Sequence, residues 1–172
     1  ISVGRLTDQK DQIIFLKGLN KLKNKINFEA VIVGRGMLKN KLMKYIKNNN
    51  LEKNVKIQNF VENPYSLIKQ ADLFVLTSKY EGLPNVLLEA LVLKKFIISS
   101  NCRTGPTEIL MNGKGGFLFN VGNYNQLAKK IIYFNNNKKI CKKLTKKSIQ
   151  ALNRFDCKLN LEKYFQLIQS VS

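Results

Sequence analysis

Two periodicities take turns along the chain. Short runs rich in Val, Ile, Leu and Phe, at residues 1–3, 28–33, 55–60, 73–77, 96–99 and 116–119, read as strands. Between them apolar residues recur at helical spacing: Ile13, Leu16, Leu19 and Leu22; then Leu38, Leu42 and Ile46; then Tyr65, Ile68 and Ala71; then Val86, Leu87, Ala90 and Leu91. The strand runs are apolar throughout rather than alternating, as expected of strands covered by helices on both faces. Strand and helix in alternation, with right-handed crossovers, predict an α/β fold: a Rossmann-like, doubly wound parallel sheet of about six strands. Beyond Asn123 only helical patterns remain, over 127–134, 138–152 and 159–171. The last carries Leu161, Tyr164, Phe165 and Ile168 as its apolar stripe.

The opening Ile1-Ser2-Val3-Gly4-Arg5 reads as a strand already under way, which predicts a fragment or split gene product whose upstream part is missing. No apolar run reaches the ~18 residues of a membrane span. Three cysteines, Cys102, Cys141 and Cys157, are odd in number and lack C-x-x-C spacing, which favours a reduced, cytoplasmic setting.

Composition narrows the chemistry. Among 172 residues there is no histidine, so His-based acid/base catalysis, catalytic triads and His metal sites are excluded from this chain. The formal charge is +19, from 30 Lys+Arg against 11 Asp+Glu. Such a balance suits an anionic membrane or a nucleic acid. Yet 26 of the cations are lysine, and 21 residues are asparagine, the composition that an AT-rich genome writes by default. The lysines fall on helix faces and are not interleaved with aromatics, so no nucleic-acid partner is expected. The four arginines, Arg5, Arg35, Arg103 and Arg154, carry more information than the lysines.

In open α/β sheets, ligands sit beyond the carboxyl ends of the strands, so the loops that follow the strands are where function is sought. After the first strand comes Gly4-Arg5-Leu6-Thr7-Asp8-Gln9-Lys10. Arg5 and Lys10 are two cations on one strand-to-helix loop, able to converge on phosphate oxygens, although Lys10 also reads as a solvated helix start. The second strand ends in Gly34-Arg35-Gly36, a G-x-G without the third glycine or ribose-binding acid of a dinucleotide fingerprint, and reads as a tight strand-to-helix turn. The fourth strand leads into Ser78-Lys79-Tyr80-Glu81-Gly82-Leu83-Pro84-Asn85, with Glu89 following. Pro84 suits the first helical position, which would turn backbone N–H groups around Gly82, Leu83 and Asn85 towards an anion. Glu81 and Glu89 are placed to accept hydrogen bonds from sugar hydroxyls. They also read as a helix-dipole acid and a solvated helix position.

Glu81-x7-Glu89 with its Gly-Leu-Pro resembles the E-x7-E signature of the retaining glycosyltransferases of family 4, which have the two-domain GT-B fold. The resemblance extends over Val3-Gly4-Arg5-Leu6, Gln9-Lys10, Val33-Gly34-x-Gly36, Ala71-Asp72-Leu73-Phe74-Val75-Leu76 and Gly105-Pro106-Thr107-Glu108-Ile109-Leu110. It implies that residues 1–172 are the C-terminal, donor-binding half of a hexosyltransferase, with the N-terminal acceptor domain absent and the isolated half inactive. It implies that segment 155–172 packs towards that domain. It further implies that Arg5 and Lys10 hold the donor diphosphate, that Glu81 contacts the hexose, and that Gly82, Leu83, Pro84 and Asn85 meet sugar and phosphate. Glu89 would bind the ribose and Val61 the base. Asn59 stands where the family usually has glycine. The implied partners are a UDP- or GDP-linked sugar and a cell-envelope glycan or lipid-linked acceptor. No cofactor and no metal are expected, consistent with the lack of a D-x-D pair. The implied location is the cytoplasm, or the cytoplasmic face of the inner membrane. A non-catalytic basic module for an anionic membrane or nucleic acid is the alternative.

Overall fold

The computed structural model describes residues 1–171. Six strands appear: β1 (Ser2–Val3), β2 (Ala30–Val33), β3 (Val55–Gln58), β4 (Leu73–Leu76), β5 (Phe96–Ser100) and β6 (Phe117–Phe119). The helices are α1 (Gln12–Asn20), α2 (Lys39–Asn48), α3 (Tyr65–Gln70), α4 (Asn85–Val92), α5 (Pro106–Ile109), α6 (Tyr124–Asn136), α7 (Lys138–Gln150) and α8 (Cys157–Val171).

The strands do not form the single hydrogen-bonded sheet that the pattern suggested. They form two parallel three-stranded sheets, β1-β2-β3 and β4-β5-β6. Ile1 bridges them: its amino group donates to the Leu73 carbonyl at 2.8 Å, and its carbonyl accepts from the Val75 N–H at 2.9 Å. The split arises because β1 is only two residues long, too short to carry a ladder to both neighbours. Side by side the strands run 3-2-1-4-5-6, with the reversal of order at β1 and β4.

Alternation along each strand builds two cores. Ala30, Ile32, Val75, Phe96, Ile98 and Phe119 face Phe15, Leu42, Leu127, Ile131 and Phe134 of α1, α2 and α6. Phe74, Leu76 and Ile97 face Ile68, Leu87, Leu91 and Ile109 of α3, α4 and α5. Helices therefore cover both faces, as the apolar strands require. Phe96 anchors the first core, stacked on Phe134 at 5.3 Å and edge-on to Phe117 at 4.8 Å.

The expected strand over 55–60 ends at Gln58, which releases Asn59, Phe60 and Val61 into the loop that bears on the site. The last helix spans Cys157–Val171, longer than the expected 159–171, and its apolar stripe is exposed. Ser172, at the end of the expected 155–172 segment, lies outside the described residues.

Candidate functional site

The loops after β1 and β4 are stitched together by the strand-order reversal that places their strands side by side. Thr77 Oγ1 donates to the Lys10 carbonyl at 2.9 Å, the Lys79 N–H to the Gln9 carbonyl at 2.8 Å, and Gln9 Nε2 to the Tyr80 carbonyl at 3.1 Å. Exposed Lys79 pairs with Asp8 at 2.7 Å, and this hydrogen-bonded carboxylate pushes the Lys79 ammonium up. Within that frame Lys10 Nζ meets Glu81 Oε1 at 2.5 Å, with both side chains largely covered. Ser78 Oγ donates to the same carboxylate oxygen at 2.6 Å. Glu81 is therefore an ion-paired carboxylate tied to the β1 loop, not a free acid at a helix N-terminus.

Behind this pair lies a buried layer. The Ser78 carbonyl accepts from Ser100 Oγ at 2.6 Å and from Cys102 Sγ at 3.0 Å. Burial pushes the Cys102 thiol up, so it stays protonated and able to donate. Thr104 Oγ1 donates to the Glu81 carbonyl. Gly105 has φ +69, and a Cβ there would fall on the Gly82 carbonyl oxygen and 2.6 Å from Pro84 Cδ. Only glycine lets the β5–α5 loop approach the Gly82-Leu83-Pro84 turn this closely. Pro84 is not the first helical residue. It is extended, with ψ 94, and α4 begins at Asn85. Gly82, Leu83 and Asn85 are exposed around the turn.

A cavity of about 440 Å³ opens at the carboxyl ends of β1, β2 and β3, lined by Arg5, Val61 and Glu89 together with Gly4, Arg35, Phe60 and Tyr65. Arg5 is exposed and reaches Gln9 Oε1 at 3.5 Å, and the Arg35 guanidinium lies 5.0 Å over the Phe60 ring. Burial pushes the Glu89 carboxyl above its usual range. Gly4, which lines the cavity, links the two groups of residues: a Cβ there would sit 3.6 Å from Lys10 Cδ and Cε, so the lysine stem runs next to it. Arg5 and Lys10 thus flank Gly4, one towards the cavity and one towards Glu81, rather than converging on one point. The Gly34-x-Gly36 turn has a steric cause. A Cβ at Gly34 would strike the Gly4 carbonyl oxygen, and one at Gly36 the Leu6 carbonyl oxygen, which closes the β2 loop onto the β1 loop. Asn59 needs no left-handed backbone. Its side chain accepts from Lys39 Nζ at 2.7 Å.

Sequence reasoning does not reach Gln9, Ser78, Ser100, Cys102 or Thr104 as parts of this arrangement. Gln9 and Ser78 stand inside the quoted runs, but a lone hydroxyl or amide has no periodicity to give it away. Among the described residues no cluster of three or more His, Cys, Asp or Glu stands together to hold a metal ion, and no helix is long and apolar enough to cross a membrane.

Residues 1–151 match the family described as Glycosyl transferases group 1. This chain belongs to it. Among glycosyltransferase relatives, the chain is 42% identical over 111 residues to an uncharacterized glycosyltransferase of Methanocaldococcus jannaschii, covering 64% of this chain and 27% of the relative. It is 30% identical over 171 residues to an undecaprenol-linked glycan alpha-1,4-N-acetyl-D-galactosaminyltransferase of Campylobacter jejuni, covering 98% and 47%. It also resembles the crystal structure of a mutant of S. aureus TarM in complex with Fondaparinux, alpha-GlcNAc-glycerol and UDP, at a TM-score of 0.86 and 27% identity, covering 96% of this chain and 34% of that one. The chain thus spans about a quarter to a half of the length of these relatives.

Proposed function

We propose that this chain is the donor-binding half of a retaining glycosyltransferase that transfers a hexose from a UDP- or GDP-linked sugar to a cell-envelope glycan or lipid-linked acceptor. The observation that carries the reading is the cavity that joins Arg5, Val61 and Glu89, with the stem of Lys10, the partner of Glu81, next to Gly4 of its lining. The base packs near Val61 and the ribose hydroxyls donate to Glu89. The diphosphate lies across Gly4, between the Arg5 fork and the Lys10 ammonium. As the bond from sugar to phosphate breaks, negative charge grows on the departing diphosphate, and two fixed cations stabilise it without a metal or cofactor. Glu81, released from Lys10 by the incoming phosphate, faces the oxocarbenium-like sugar. Gly82, Leu83, Pro84 and Asn85 close the wall on the sugar side. The acceptor domain belongs to sequence upstream of Ile1, and segment 155–172 braces against it. Catalysis takes place in the cytoplasm, at the inner face of the membrane where lipid-linked acceptors are held. Relatives named for undecaprenol-linked and poly(ribitol-phosphate) acceptors support this acceptor class.

Calorimetric titration of the chain with UDP, GDP and ADP tests the reading. UDP or GDP is expected to bind, with affinity reduced in Arg5→Ala and Lys10→Ala. No binding of any of the three, or binding that ignores both substitutions, overturns it.

A further inference from the structure

At the opposite edge of the strands from the Lys10–Glu81 pair, α7 carries Lys138, Lys139, Lys142, Lys143, Lys146 and Lys147, and no acidic residue. At 100° per residue these six occupy one half of the helix circumference. The other half holds buried Cys141, Thr145 and Ser148 against the domain. Four of the lysine pairs are spaced i, i+4, so each repels its neighbour along the helix. Lys138 and Lys139 also stand in the first turn, where the helix dipole disfavours cations. The helix is thus locally unfavourable in isolation and well matched to a dense array of negative charge.

Under this face lies a cavity of about 540 Å³, at the amino ends of β4 and β5. Its floor is Phe96, Phe134, Cys141 and Ile149. Its rim is Lys94, Lys138, Lys142 and Lys146, with Asp72 the one acid. Lys138 Nζ lies 3.9 Å from the Phe134 ring centroid. An apolar floor ringed by ammonium groups suits a molecule with an anionic head and an apolar tail. Phe96 and Phe134 are buried, so no aromatic platform offers itself to a nucleobase.

We propose that the lysine face of α7 and the cavity beneath it bind the phosphate headgroups of an acidic phospholipid membrane, with one lipid's upper acyl segment entering the cavity. Because this face lies away from the β1 and β4 loops, it holds the domain on a bilayer with the donor cavity open. The inference stands independently of the proposed donor chemistry.

Co-sedimentation of the full chain with vesicles tests it. Vesicles of phosphatidylcholine with 30 mol% phosphatidylglycerol are compared with phosphatidylcholine alone, at about 50 and 500 mM salt, conditions that differ strongly in Debye screening. Binding is expected only with phosphatidylglycerol and at low salt. The triple variant Lys138→Gln, Lys142→Gln, Lys146→Gln should lose on the order of 100-fold in partition coefficient. A second triple variant, Lys44→Gln, Lys47→Gln, Lys53→Gln, removes the same charge from exposed positions elsewhere and should retain binding. Equal losses in the two variants would mean that net charge alone drives adsorption, and would overturn the proposal. So would binding of duplex DNA that falls with the α7 variant while vesicle binding does not. The α7 variant relieves lysine repulsion and should keep its fold and its UDP titration. A loss of UDP binding in unaltered chain leaves the vesicle result intact, so the two readings fail separately.

Discussion

Lys10 Nζ and Glu81 Oε1 stand 2.5 Å apart, so the lysine proposed to receive the donor diphosphate is already neutralised by a carboxylate in the free protein. Phosphate and Glu81 therefore compete for one ammonium group. Glu81→Gln frees Lys10 and should raise UDP affinity about fivefold, equivalent to ~1 kcal/mol for a pair open to solvent on one side. Lys10→Met should weaken UDP binding and leave Glu81 with only Ser78. In the double variant the two effects should not add, because the pair acts as a unit. A fall in UDP affinity in Glu81→Gln, measured by calorimetry, would place Glu81 on the nucleotide instead.

Glu89 shows the opposite balance between stability and binding. Burial raises its pKa, so between the unfolded and folded values the native state holds more protons than the unfolded one. Its contribution to stability therefore falls as pH rises through that window. Glu89→Gln removes the buried charge, and its melting temperature at pH 7 should exceed that of the unaltered chain. The gain should shrink as pH is lowered towards the raised pKa. Nucleotide affinity should drop in the same variant, since an amide accepts ribose hydroxyls less strongly than a carboxylate. A variant that melts lower at pH 7 would contradict the burial argument.

Hydrophobic periodicity made most of this fold legible: β4, β5, α4 and α6 lie where apolar spacing places them, because each buries a continuous stripe. It could not divide the sheet, since Ile1 joins β1 to β4 through backbone groups that any residue supplies. Residues of the site were legible where their type is scarce or chemically loaded, as with Arg5 and Glu89. The Lys10–Glu81 contact was not, because 71 positions separate the partners and only the strand-order reversal brings them together. The role of Gly34 was legible as a turn, whereas that of Gly105, a close approach to Gly82, required the neighbouring loop.

That approach makes Gly105 a test of how the sugar-side wall is held. Alanine there would carry a Cβ onto the Gly82 carbonyl oxygen and crowd Pro84, in a backbone conformation unfavourable to L side chains. Gly105→Ala should cost about 1–3 kcal/mol of stability. It should also displace the turn that precedes α4. Gly82→Ala is the control, because a Cβ at Gly82 meets nothing within 4 Å. Chemical denaturation should separate the two, and equal midpoints would show that the loops yield freely.

In the 172-residue chain the amino group of Ile1 is buried where it meets the Leu73 carbonyl, and desolvation lowers its pKa to about 5. The unfolded chain keeps that proton up to about pH 8. Between these values the unfolded state binds more protons, so this group's contribution makes stability rise with pH, by at most about 1.4 kcal/mol per unit. Above pH 8 the contribution is constant. Extending the chain upstream by two residues replaces the amine with a peptide N–H and should abolish the rise. Melting curves at pH 5.5 and 8 on both forms make the comparison, and a rise that persists in the extended form would assign it to other groups.

Helix α8 leaves Leu161, Tyr164, Phe165 and Leu167 exposed, each by more than half. Hydrophobic stabilisation comes from area removed from water, and these side chains remove little. Ending the chain at Phe155 should therefore change its stability by less than about 1 kcal/mol and improve its solubility. If segment 155–172 braces against an upstream acceptor domain, as proposed, the same deletion in a chain that carries that domain should be far more costly. Phe165→Ser in the longer chain is then the sharper probe, since it should lower the melting temperature there and leave the 172-residue chain unchanged. Equal, small effects in both would detach α8 from any such role.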